Sequence, residues 1–239
     1  MKLSTLFMGT ALLAAVATDA QATMLSYGDV VQVQNREGTV FTPTPILGDN
    51  NGLYTSVSFQ ANGSNRTANA GMYVLDYSYT LNNSAGEWFQ FYSFCLEPHV
   101  NLQSFSNPYT VHTLSSAGYN NAAISELWGR YRSSVTNNLT AAAFQLALWE
   151  LAHDQSNGIN LAQGAFSVNN AGSNAFQLAN TWLNSLNGEG PRAWNLAVLV
   201  DNPNDKNNRQ DLIVELPNPG ALALFGFGAF LLAGKRRKF

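Results

Sequence analysis

Cys95 is the one cysteine of this 239-residue chain, so it is a buried apolar group, a free or intermolecular thiol, or a nucleophile. Three histidines, His99, His112 and His153, can in principle pair with it as a thiol-imidazole dyad, with Glu97 or Asp154 orienting the ring. No cysteine-hydrolase signature surrounds Cys95, which leaves that dyad unsupported. The same histidines lack the spacing of a metal site, and Asp201–Asp205 lacks the order of a calcium loop, although a casual surface calcium fits there. No glycine-rich phosphate loop follows a strand. No cofactor is expected, and the chain reads as a non-enzyme. A second pattern stands out: Phe94-Cys95-Leu96 ends an aromatic run, and Gln145-Leu146-Ala147-Leu148-Trp149 opens a helical one. Read plainly, Gln145 is a buried amide bonded to backbone, and Leu146, Leu148 and Trp149 form an apolar helix face.

Taken together, the two segments resemble the thioester domains of bacterial surface adhesins. There a Cys after a large apolar residue pairs with the Gln of a Gln-x-Ala-aliphatic-Trp motif, matched here by Phe94, Cys95, Gln145, Ala147 and Trp149. The resemblance implies that the Cys95 thiolate attacks the Gln145 carboxamide and releases ammonia. The resulting thioester would acylate an amine on a surface or matrix polymer. Such chemistry needs the thiol and amide at bonding distance and shelter from water. Phe144 stands where the family has Thr. Glu150, just past the motif, is a polar neighbour without an assigned role. Lys206 is the sole lysine between the chain ends, a scarcity that suits an activated acyl group but equally reflects a preference for arginine.

The elements that must position this pair have two textures. From Met24 to Leu96, short β-branched and aromatic runs (Val30–Val33, Leu53–Phe59, Met72–Tyr79, Trp88–Phe94) are broken by Asn and Gly, as at Asn62-Gly63, which predicts antiparallel strands. From Asn120 to Leu186 the apolar spacing predicts helices over Ala122–Tyr131, Thr140–His153 and Asn174–Leu186, with Thr140 and Asn174 as N-caps. Strands return over Trp194–Val200 and Gln210–Leu216. The expected fold is α+β, an antiparallel β-sandwich or barrel-like domain with a helical insertion. Its parts are a β-rich 23–118, a helical 119–190 and returning strands 191–216. In Met72–Tyr79, alternation puts Tyr73, Leu75, Tyr77 and Tyr79 on one face and Met72, Val74, Asp76 and Ser78 on the other, and neither face is clean. Tyr27, Tyr54, Tyr73, Tyr77, Tyr79, Trp88 and Tyr92 are numerous enough either to fill a core or to form a platform that stacks on sugar rings.

The chain ends read as addresses. Residues 1–22 have the order of a signal peptide: Lys2, an apolar Leu6–Val16, and the small-x-small site Ala20-Gln21-Ala22. Residues 217–239 run Pro217-Asn218-Pro219-Gly220, then an apolar stretch to Gly234, then Lys235-Arg236-Arg237-Lys238. This order resembles the PEP-CTERM sorting signal of Gram-negative envelope proteins, with Asn218 in place of the usual Glu. The resemblance implies a transmembrane sorting helix held transiently in the inner membrane, an exosortase-type processing enzyme as partner, and delivery to the cell surface or extracellular matrix. Without Lys2, Asp19 and the four tail cations, the 12 basic and 15 acidic residues fall to 7 and 14, a net charge of −7. That charge argues against nucleic acid as a partner. The expected function is covalent attachment to an amine-bearing partner, with non-covalent association with exopolysaccharide as the alternative.

Overall fold

The computed structural model describes residues 25–35, 52–81, 87–100, 108–154, 158–201 and 209–216. The signal-peptide residues Ala20 and Ala22, the sorting motif Pro217, Asn218 and Pro219, the basic stop Lys235, Arg236, Arg237 and Lys238, and Lys206 lie outside them. Among the described residues no helix is long and apolar enough to cross a membrane. The described strands are β1 (Val30–Asn35), β2 (Leu53–Ala61), β3 (Ser64–Ser78), β4 (Phe89–Cys95), β5 (Tyr109–Thr113), β6 (Phe166–Val168), β7 (Leu196–Asp201) and β8 (Leu212–Glu215). The helices are α1 (Asn121–Tyr131) and α2 (Asn138–His153), which precede β6, and α3 (Asn174–Ser185), which follows it.

Every pairing is antiparallel, and the order β1-β5-β7-β8-β4-β3 returns to β1, which also pairs with β3. The sheet is therefore a closed barrel, the second of the two expected forms, and closure removes the exposed edges that an open sheet presents. β3 makes this possible by using one edge twice. Its first part, Ser64 to Met72, pairs with β2, and its last part, Leu75 to Ser78, pairs with β1. β2 carries β6 on its far side, so β2 and β6 extend off the barrel as a flap. The strands crowd where β3 changes partner: a Cβ at Gly71 would lie 2.0 Å from the Leu53 carbonyl oxygen, which only glycine permits.

The register assigns Val31, Val33, Leu75, Phe91, Tyr109, Val111 and Leu199 to one face, and all are buried inside the barrel. The outer face is covered as well. Phe94 packs on Phe144 of α2 with ring centroids 4.8 Å apart and on Trp128 of α1 at 5.7 Å. Helix α2 lies between flap, barrel, α1 and α3, and every residue from Ala141 to Leu151 is buried. Its alanines, Ala141, Ala142, Ala143 and Ala147, keep that crowded helix thin. The two covered surfaces explain why neither face of β3 looks polar: residues Ala70 to Ser78 are buried on both sides.

The helix starts differ from expectation. Asn137, not Thr140, caps α2; its side chain accepts from the Thr140 N–H at 2.9 Å, while the Thr140 hydroxyl accepts from the Asn137 N–H at 3.2 Å. Thr140 thus completes a capping box from inside the helix. In α3, Ser173 rather than Asn174 is the cap and accepts from the Phe176 N–H.

Candidate functional site

β4 ends at Cys95, and the way it ends creates the site. Leu96 N–H donates to the Asp211 carbonyl at 2.9 Å, continuing the ladder to β8. Successive residues of a strand direct their N–H and C=O to opposite edges, so those of Cys95 face the β3 side. The β3–β4 ladder stops at Tyr73 and Ser93, where β3 turns to β2, and Cys95 is left without a strand partner there. Gln145 of α2 fills the gap. Cys95 N–H donates to Gln145 Oε1 at 3.0 Å, and Gln145 Nε2 donates to the Cys95 carbonyl at 2.6 Å. A side-chain amide here replaces a missing residue of sheet.

The structure thus brings together Cys95 and Gln145 across 50 positions. Both are sealed, Cys95 at 2% exposure and Gln145 at 0%. Cys95 shares the barrel-interior face with Leu212, its register partner, and its charge would bear on Tyr73 and Tyr109 there. Burial pushes the thiol well above its ordinary range, and Glu97 adds to the rise. The neutral thiol is therefore the resting form. Of the supporting residues, Phe94 packs on Phe144, Ala147 is fully buried, and Trp149 lies 5.2 Å from Phe59 and 5.7 Å from Phe166. They build the wall around the pair.

An acidic network that the sequence did not reveal sits beside the thiol. Glu97 Oε2 accepts from Asp211 N–H at 2.9 Å, Tyr119 OH donates to Asp211 Oδ2 at 2.9 Å, and Arg209 pairs with Asp201 at 2.5 Å. Burial first, then the Glu97 charge, pushes the Asp211 carboxyl up to about 6. Asp211 is the second residue of the expected strand Gln210–Leu216, an ordinary polar residue there, and only the fold sets it against Glu97. At the far end of α2, burial pushes Glu150 up to about 7 against the hydrogen bond from Asn160 N–H at 2.5 Å. Glu150 and Asp154, which accepts from Ala165 and Phe166, hold the segment leading into β6.

The histidines go elsewhere. His153 Nε2 hydrogen-bonds the Leu96 carbonyl at 2.9 Å, and its ring meets His99 edge-on at 5.6 Å. His112 pairs in register with Val198, on the outer face opposite Cys95. Neither position makes a hydrogen bond to the thiol. Of the seven aromatics, Tyr54 on β2 and Tyr73 and Tyr77 on β3 are buried, as the core-filling reading expects, and only Tyr27 and Tyr92 are exposed.

Chemically, the pair offers a thiol and an amide carbon whose oxygen already accepts a main-chain N–H. A donor so placed faces the oxygen where charge develops when the carbon is attacked. No protein-family model matches the chain, nor does any curated protein or solved structure.

Proposed function

We propose that this is an exported surface or matrix protein in which Cys95 and Gln145 form an internal thioester, used for one covalent attachment to an amine-bearing partner. The observation that carries this reading is the pair of hydrogen bonds that seat the Gln145 amide on Cys95. The step requires Sγ to turn from the barrel-interior face toward Gln145 Cδ, which the two hydrogen bonds hold beside the Cys95 main chain. The new S–C bond forms as charge gathers on Oε1, against the Cys95 N–H. The thiol proton passes to Nε2, the C–N bond breaks, and ammonia leaves. A partner amine later adds to the same carbon, and the sulfur departs and is reprotonated as the thiol. Burial protects the thioester from water between these steps. Access for the amine requires the seam between β4 and α2 to part.

Processing of the two chain ends by a signal peptidase and an exosortase-type enzyme belongs to the same proposal. It takes the chain through the inner membrane to the cell surface or matrix of a Gram-negative bacterium.

Intact-mass spectrometry of the purified protein, with Cys95→Ala as control, tests the central claim. A mass lighter by one ammonia, shifted on methylamine treatment to one heavier than the unmodified chain by a methylene with the methylamide at Gln145, is the expected result. The same two hydrogen bonds fit a second reading, in which Gln145 only completes the sheet edge and any association with exopolysaccharide is non-covalent. An unmodified mass, with Cys95 alkylated once the chain is unfolded, selects that reading.

A further inference from the structure

α1 and the segment after α3 enclose a cleft that runs from the outer wall of the barrel to interior-face residues Tyr77 and Phe91. Gly129 sets its depth: a Cβ there would lie 2.3 Å from the Pro191 carbonyl oxygen, so the segment lies directly on the helix. Ala193 N–H fixes it by donating to the Ser125 carbonyl at 3.0 Å. The cleft has two lobes, about 760 Å³ beside Trp194 and about 430 Å³ beside Tyr92, with Trp128, Arg132, Asn195 and Glu215 lining both. Each is within the size range of small-ligand sites.

Three features of the lining point to one chemistry. Trp194 is 86% exposed, an indole face left open to water at the cleft mouth, with Tyr92 at 48% along the wall. Flat aromatic faces of this kind stack on the C–H faces of sugar rings. Asn195, whose Nδ2 donates to the Leu216 carbonyl, and Gln90 add polar amides to the lining. Finally, Arg132 lies with its guanidinium carbon 5.9 Å from the ring centres of Phe94 and Trp128 and makes no side-chain hydrogen bond among the described residues. A guanidinium held beside two rings and making no side-chain hydrogen bond among the described residues can turn its fork of donors to a carboxylate. Arg192 adds a second cation, with Nη2 donating to the Gly188 carbonyl, and the one acidic group in the lining, Glu215, accepts from Trp128 Nε1 at 3.0 Å and its charge also acts on Arg132, so the two arginines outnumber it by one. The cleft is locally positive on a chain whose net charge is −3.

We propose that this cleft binds an acidic oligosaccharide, a run of hexuronate residues, with one ring stacked on Trp194 and a carboxylate paired with Arg132. The site is independent of the thioester: it uses no atom of Cys95 or Gln145, and it stands or falls on its own measurement. Its ligand differs from an acidic peptide in needing the open indole as well as the cation.

The test is titration of the full chain with an oligogalacturonate hexasaccharide, followed by tryptophan fluorescence and calorimetry, beside neutral maltohexaose and an oligoglutamate peptide. Uronate binding at least about tenfold tighter than either comparison compound is expected, weakening as salt rises. Trp194→Ala, at a surface position that leaves the fold intact, should weaken it by about tenfold or more. Arg132→Gln should abolish the preference for uronate over maltohexaose, and Arg132→Lys should retain part of it. Absence of uronate binding, equal binding of maltohexaose, equal binding of oligoglutamate, or indifference to Trp194→Ala each overturns the proposal.

Discussion

Gln145 does at the level of a single residue what a strand does for its neighbours: it satisfies both main-chain groups of Cys95 in a place water does not reach. This allows its structural contribution to be separated from its chemistry. Neither Cys95→Ala nor Gln145→Ala can form a thioester, one lacking the thiol and the other the amide. Only the second strands a buried N–H and C=O. Gln145→Ala should therefore be less stable than Cys95→Ala by about 2 kcal/mol, read from denaturant unfolding midpoints. Equal stability would remove the amide from the sheet edge. Of this site, the sequence made legible the residue types and the motif. It did not make legible the contact, which depends on β3 leaving β4 at Tyr73, a tertiary event with no local signature. Arg132 was equally hidden, because the rings that hold it come from β4 and α1.

Helix α2 is the element that presents Gln145, and its first turn is fixed by the Asn137 and Thr140 exchange. Asn137→Ala removes the acceptor for Thr140 N–H and should cost about 1 kcal/mol, seen as a lowered thermal midpoint with the circular-dichroism spectrum unchanged. A larger loss, or none, would mean the helix start is held by something else. The three helices were readable from apolar spacing, with errors confined to their caps. Thr140 looked like a cap because Ser, Thr, Asn and Asp all serve there, and Asn137-Asn138 offered no periodic residue to mark the true start. β5 and β6 went unanticipated. One is five residues and the other three, too short for a period-two pattern to declare itself. The hairpin at Asn62-Gly63 was readable, and both residues take positive φ, 51° and 75°.

Across the whole molecule, buried ionisable groups set how stability responds to pH. Glu150 is raised from 4.5 to about 7 and Asp211 from 3.8 to about 6, each chiefly by burial. Their protonated forms favour the fold, so this contribution is complete at low pH and is lost as pH rises through those values. His99 and His153 are lowered by burial and act oppositely, losing stability as pH falls. Glu150→Gln isolates one member of the set: relative to the parent, its unfolding free energy should rise between pH 4.5 and about 7.5, whereas a difference flat across that range would contradict the raised Glu150. The antiparallel β-rich class was legible at this scale, but barrel closure was not, since it needs β1 to find both β3 and β5.

The position of β8 has a consequence for the order of events in the life of the chain. It is the last described strand to be synthesised, yet it is inserted between β7 and β4, and the ladder beyond Cys95 runs through Asp211. A nascent chain that has emerged only through α3 already contains both Cys95 and Gln145 but lacks the strand that seats one beside the other. Under the proposed thioester chemistry, fragments and stalled translation products that end before β8 would carry both Cys95 and Gln145 without the strand that completes the ladder at Leu96.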